Sequence, residues 1–318
     1  MFEVTIKQVC IMFLYISIGY LIRRVKLVDK SASKDLSKLL TYVCLPAYVV
    51  NVMADKVTVA NLTLYMWQII AGVAFTAIAL TVSHFLGKVF GKTKLERNCY
   101  KYMFAFGNCG YFGYPLIEGV FGTEMLVQFI FFCLPSTMIL NSYGYILLTN
   151  LKEDGTQKKV GLNQIFSPVI IGMILGVTLG LLPITVPQIF FDIVAPAGAC
   201  MSPIAMLITG IVLASFSIKE LVSSVKGYVF SVVKMIGFPI VFGAIAYVLY
   251  LTIGLTGEIF IMIVAFACLP AGMNSVVFPE SAGLDSSVGA RPLFCSYIFA
   301  LITVPLAFML ADALVVIG

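Results

Sequence analysis

"FGNCGYFGYP", residues 106–115, packs three glycines, an asparagine and a proline into ten positions of a long apolar stretch. In a helix interior glycine costs about 1 kcal/mol and proline about 3 kcal/mol relative to alanine, so this segment is a poor continuation of a plain helix. A second stretch, "CLPAGMNSVVFPE" at 268–280, has the same character, with Gly272 between Pro270 and Pro279 and a single asparagine, Asn274. A break in a membrane helix frees backbone N–H and C=O groups. In hydrocarbon each would cost several kcal/mol, so broken helices are confined to places lined by protein or water.

The rest of the chain supplies the membrane context. Of 318 residues 61% are hydrophobic and 11% charged, against about 25% charged in a soluble domain, which excludes a water-soluble globule. Apolar runs of spanning length are predicted near 4–22, 36–54, 62–87, 99–117, 121–149, 163–182, 188–214, 227–251, 257–279 and 290–316. The first is too long for a cleaved secretory signal, and its basic flank (Arg23, Arg24, Lys26) stands on the wrong side. "LKEDGTQKK" at 151–159 is expected to be a loop.

Lysine and arginine are retained in short cytoplasmic loops, and 18 of the 20 basic residues, Lys234 and Arg291 among them, fall after odd-numbered spans. Only Lys7 and Lys56 fall on the other side, which places both termini outside the cytoplasmic membrane. This asymmetry accounts for the net charge of +5 without a nucleic-acid partner. The eight cysteines contain no C-x-x-C pair and read as small reduced apolar residues, with no metal and no cofactor expected.

Five spans in residues 1–150 and five in 160–318 give an odd number per half, so the second half would enter the membrane upside down relative to the first. The expected fold is therefore an all-α polytopic membrane protein of ten helices, built as two inverted five-helix repeats with broken, crossing helices four and nine. Inverted repeats with broken helices are a feature of transporters. The second and seventh spans also correspond, each with an internal proline in "CLPAYVVN" (44–51) and "MSPIAMLITG" (201–210).

At each break the following half-helix begins with unpaired N–H donors and about half a positive charge, which suits a carboxylate. The candidate substrate-binding residues are Asn108, Cys109, Gly110, Gly113 and Pro115 at the first break and Pro270, Gly272, Asn274 and Ser275 at the second, joined by Pro46 and Asn141. The asparagines add donors and acceptors without burying a fixed charge. The alternative is that both segments are packing kinks whose asparagines bond between helices. Glu118, Glu280 and Thr137 are candidates for a coupling ion, either proton or sodium, although both glutamates also suit a solvated position at the water boundary. His84, the lone histidine, reads as a helix-end residue near Lys88, with a proton relay as its alternative.

At these residues the chain resembles the auxin efflux carrier family, the bacterial relatives of plant PIN carriers, within the group sharing the bile-acid sodium symporter fold. "GYLIRRVKLVDKSASKDLSKLLTYVCLPAYVVNVMA" (19–54) is similar to that family's first two helices, "FGNCGYFGYPLIEGVFG" (106–122) to its fourth-helix crossover, and "CLPAGMNSVVFPESAGLDSSVGA" (268–290) to its ninth. The resemblance implies a scaffold of helices 1, 2, 6 and 7, often dimeric, and a transport domain of helices 3–5 and 8–10 that moves like an elevator. It also implies a small organic anion as substrate, such as auxin in plants or malate-like carboxylates in bacteria, with Asn108 and Pro115 inheriting contact with the carboxylate. Two departures weigh against the plant ligand and plant regulation: "FFCLPS" (131–136) opens the fifth helix with Cys133 and Leu134, and the long plant loop is absent.

Function thus reads as secondary transport of small organic anions, with a non-transporting membrane sensor of a carboxylate, or an anion channel, as alternatives. No H-E-x-x-H or G-x-S-x-G occurs, and catalysis is not expected.

Overall fold

The computed structural model describes residues 1–149, 167–182 and 186–315. Among them seven helices are long and apolar enough to cross a membrane: Phe2–Arg24, Ser31–Lys56, Val59–Phe90, Thr123–Thr149, Gln188–Leu213, Val225–Ile253 and Ser287–Leu314. Two shorter apolar helices, Pro168–Leu181 and Gly257–Ala267, join them. The chain is an all-helical, multi-pass membrane protein. The expected loop at 151–159 and the start of the sixth expected span lie outside the described residues.

Divided at their irregular turns, the described helices are α1 (Phe2–Arg24), α2 (Lys30–Leu39), α3 (Leu45–Lys56), α4 (Leu62–Phe90), α5 (Lys94–Ala105), α6 (Tyr114–Phe121), α7 (Thr123–Ile139) and α8 (Tyr145–Thr149). They continue with α9 (Pro168–Leu181), α10 (Gln188–Ala199), α11 (Met201–Leu213), α12 (Ile218–Val222), α13 (Val225–Val232), α14 (Phe238–Ile253), α15 (Gly257–Ala267), α16 (Asn274–Ser281) and α17 (Ser287–Leu314). The fourth and ninth expected spans are not continuous rods: residues 106–113 separate α5 from α6, and 268–273 separate α15 from α16.

Among the described residues four widened π turns interrupt the other rods or complete the breaks, at Leu40–Cys44, Cys109–Gly113, Leu140–Gly144 and Val233–Gly237. Such turns hold well under about 1% of residues in ordinary proteins and gather at functional sites. Three of them have a common cause. Pro46, Pro115 and Pro239 each stand two residues beyond a wide turn. A proline ring would collide with the carbonyl four residues earlier, here that of Tyr42, Tyr111 or Met235, and each of these lies inside the widened turn.

Contacts divide the helices into two groups. In the first, α1 and α2 pack on α11, and α3 packs on α9 and α10. In the second, α4 packs on α5 and α7, α6 on α7, α13 on α17, and α15 on α14 and α17. Within the second group Phe75 of α4 meets Phe132, Phe242 and Phe266 with ring centroids 5.7, 5.0 and 4.9 Å away, which knits the N-terminal helices to the C-terminal ones. The groups touch mainly where α1 meets α17 and α6. Lipid tails are as apolar as leucine, so close packing supplies the driving force for association. Outward faces carry Leu14, Leu21, Trp67, Val89, Ile240 and Ile302, all exposed and suited to acyl chains.

At the end of α5 away from its break, the Lys92 N–H (2.7 Å) and, second, the Lys226 ammonium (3.2 Å) hold the Glu96 carboxyl below the usual carboxylate range. Lys234 corrects the sequence expectation. Counted with the cytoplasmic basic residues, it is instead 1% exposed inside the second group.

Candidate functional site

The two unwound segments meet. Phe106 leaves α5 in extended conformation (φ −119°, ψ 110°), and Gly107 then forms an antiparallel bridge with Ala271. The Asn108 N–H donates to the Pro270 carbonyl at 3.0 Å. A side chain at Gly107 would press on Leu269 Cβ at 2.7 Å, so this approach needs the glycine. The peptide groups freed by one break are thus partly satisfied by those freed by the other, as buried backbone requires.

Asn108 organises the first break. Its carbonyl oxygen on the main chain accepts from Phe112 (3.1 Å) and Gly113 (2.9 Å), and its side-chain Oδ1 accepts from the Tyr111 N–H at 3.3 Å. With Oδ1 so engaged, Nδ2 points to the Tyr297 hydroxyl of α17, 2.6 Å away. The neighbouring Ser296 hydroxyl accepts from the Ala271 N–H at 3.1 Å and donates to the Leu293 carbonyl at 2.8 Å. At the second break the Gly272 N–H is taken up by the bridge, while among the described residues the N–H groups of Met273 and Asn274 make no hydrogen bond.

These three residues open onto a cavity of about 100 Å³ at the junction. Asn108, Cys109, Gly110, Asn141, Gly272, Asn274 and Thr137 all line it, so seven of the residues singled out from the sequence come together there. Residues not singled out complete it: Thr41, Tyr102, Tyr111, Tyr114, Ser136 and Ser167 supply hydroxyls. Two of those are orphans. The buried Tyr102 hydroxyl lies beside the Asn274 amide without a hydrogen bond of good geometry, and Ser167 Oγ is likewise buried and has no partner among the described residues. Three of the four π turns reach this wall, through Thr41, Cys109 to Tyr111, and Leu140 with Asn141.

Among the described residues no charged side chain lines the cavity. Its donors are free N–H groups, amides and hydroxyls, a set that can surround a carboxylate but offers a bare cation no carboxylate oxygen. The volume holds more than one water-sized group and falls well below a drug-sized site of about 300–1,000 Å³, so the fitting solute is small.

The other singled-out residues stand elsewhere. Gly113 packs under Phe129 and Leu269, Pro46 packs on Gly172, and Ser275 is fully buried against Gly289. The Pro115 carbonyl accepts from Gln8 Nε2 at 3.1 Å, and the Pro270 carbonyl is taken by Asn108. Glu280 is exposed and borders a separate hollow with Lys34 and Lys38. His84 is exposed on α4 with its ring edge-on to Phe85. Arg291 pairs with Glu220 at 3.0 Å.

Glu118 has a structural partner that the sequence did not suggest: its Oε2 accepts from the Tyr48 hydroxyl, joining α6 to α3 across the two groups. Tyr48→Phe is expected to lower thermal stability by a few degrees, because a hydrogen bond to a charged group contributes about 1.5–3 kcal/mol. Ligand affinity should stay within about twofold, since neither residue lines the cavity and separated sites add independently. Thermal shift with and without ligand checks both.

Tyr297 and Ser296 left one trace in the sequence, an adjacent polar pair in the last apolar run. The tyrosines of the wall left none, because tyrosine in a membrane protein ordinarily marks the interface.

Comparison with known proteins agrees with this architecture. Residues 4–308 match the family described as membrane transport protein. The chain is 24% identical over 294 residues to an uncharacterized transporter of Methanothermobacter thermautotrophicus, covering 91% of this chain and 92% of that one. It is 22% identical over 304 residues to an uncharacterized transporter of Methanocaldococcus jannaschii, covering 94% and 96%. The family match spans nearly the whole sequence, both broken segments included, and the chain belongs to the membrane transport protein family, that of the auxin efflux carriers.

Proposed function

We propose that this transporter is a secondary carrier of small organic anions, monocarboxylates or dicarboxylates, bound at the junction of residues 106–113 and 268–274. The observation that carries the reading is the cavity itself: donor-rich, without a charged side chain among the described residues, and floored by the unpaired N–H groups of Met273 and Asn274. An anion there would satisfy donors that otherwise stay bare in a low-dielectric setting, where such groups are costly.

In this reading the chain crosses the cytoplasmic membrane ten times, as inverted units at residues 1–150 and 160–318 with both termini outside. The group of α1–α3 and α9–α11 is a scaffold, the homodimer forms through it, and the group of α4–α8 and α13–α17 moves the site as an elevator. The two-group packing supports that division, since the groups touch mainly where α1 meets α17 and α6. Either proton or sodium would serve as coupling ion, with Thr137 the sequence candidate placed at the cavity and Glu118 and Glu280 outside it.

The test is counterflow and solid-supported-membrane current in proteoliposomes, using acids of two to four carbons and their amides. Saturable flux of at least one acid, with its amide at least about tenfold weaker, is expected from charge-assisted hydrogen bonds. Binding without flux would make the protein a sensor, and unsaturable conductance would make it a channel.

A further inference from the structure

A lysine buried inside a membrane protein is costly and usually functional. Lys234 is such a residue, fully buried within the fourth π turn, which joins α13 to α14. Its Nζ donates to the Phe104 carbonyl at 3.2 Å and lies 4.7 Å from the centre of the Phe238 ring. Among the described residues it forms no ion pair. The thiols of Cys109 and Cys268, one on each unwound segment, lie within its electrostatic reach, and Cys109 is also a wall of the cavity.

The choice of carbonyl matters. Phe104 is the penultimate residue of α5, so its oxygen is among those a helix end leaves without an intrahelical partner. That end carries about half a negative charge, and the C-terminal ends of broken half-helices are where carriers of this kind hold a coupling cation. Here the cation is covalently part of the chain. The helix end and the Phe238 ring compensate the ammonium only in part, so the junction keeps a positive potential. Asn108 stands four residues beyond the bonded carbonyl.

We propose that Lys234 is the resident cation of the anion site: it occupies the place of a coupling metal ion at the α5 terminus and sets the preference of the cavity for a negatively charged solute over a neutral one. This rests on reading the cavity as an anion site. Two consequences follow. Acid binding needs no sodium. Loss of the lysine charge weakens acids and spares amides, on the order of tenfold at the effective dielectric of about 20 that suits such sites.

The experiment measures binding of propionate, malonate and succinate, and of their amides, to the purified full chain in sodium, potassium and choline buffers. Wild type, Lys234→Met and Lys234→Arg are compared. Expected are equal wild-type affinities in the three cations, about tenfold weaker acid binding with unchanged amide binding in Lys234→Met, and retained acid preference in Lys234→Arg. Acid binding that requires sodium overturns the proposal from the wild type alone, whether or not the variants fold. Acid binding unchanged in a folded Lys234→Met overturns it while leaving the carrier reading intact. No acid binding by wild type in any buffer ends both.

Discussion

Asn108→Ala lowers carboxylate uptake into proteoliposomes by about 10- to 100-fold at sub-saturating substrate, the equivalent of one lost hydrogen bond to a charged group at about 1.5–3 kcal/mol. Asn108→Asp lowers it further. The aspartate keeps the shape of the side chain and an oxygen that can accept from the Tyr111 N–H, so the π turn retains its cap. What changes is charge: a carboxylate beside the cavity repels an incoming anion in a poorly screened place. Asn274→Ala is expected to fall between wild type and Asn108→Ala, because Asn274 lines the cavity without the structural duties of Asn108. Comparing the two alanine variants separates binding from architecture. Equal uptake by wild type and both alanine variants, with expression held constant, would remove the junction as the substrate site.

The breaks in α5–α6 and α15–α16 were legible because glycine and proline have large costs inside an apolar helix, and the sequence places both kinds at 106–115 and 268–280. Their antiparallel pairing through Gly107 and Ala271 was not legible from any local pattern, since 164 residues of chain separate them. Asn108 and Asn274 stood out as amides in apolar surroundings. The hydroxyl wall did not, because Thr41, Ser136 and Thr137 belong to residue types that ordinarily bond their own helix in the membrane, as Thr137 does with the Cys133 carbonyl at 3.0 Å. Counting basic residues by side misplaced Lys234, which is buried. A count made from span order cannot tell a lysine folded inward from one in water. Glu118 was read as a coupling candidate for the same reason: its partner Tyr48 stands 70 residues away, and nothing in either neighbourhood announces the bond.

Gly210→Val is expected to lower the melting temperature by about 5–10 °C and to reduce the folded yield. A Cβ at Gly210 of α11 would overlap the Ile16 carbonyl and come within 2.6 Å of the Tyr20 nitrogen of α1. Gly19 of α1 makes the reciprocal approach to the Leu207 backbone. Both obstacles are main chain, so no side-chain rotation can relieve the overlap and the helices must move apart. Overpacking of this kind costs about 1–3 kcal/mol or more, and a chain of this size loses about 2–4 °C per kcal/mol. Gly243→Ala is the contrasting case. Its added methyl would meet Val264 Cγ2 at 3.5 Å, an ordinary contact, while the helix gains up to about 1 kcal/mol of propensity. Its melting temperature should hold or rise. The pair of results bears on the proposed mechanism, because a carrier that moved one group of helices against another would need its stationary group to be rigid. Backbone contact between α1 and α11 through two glycines gives that rigidity without a wide apolar interface. A Gly210→Val variant that melts with wild type would mean that the helices are not held so closely, and that the first group has no fixed pair to move against.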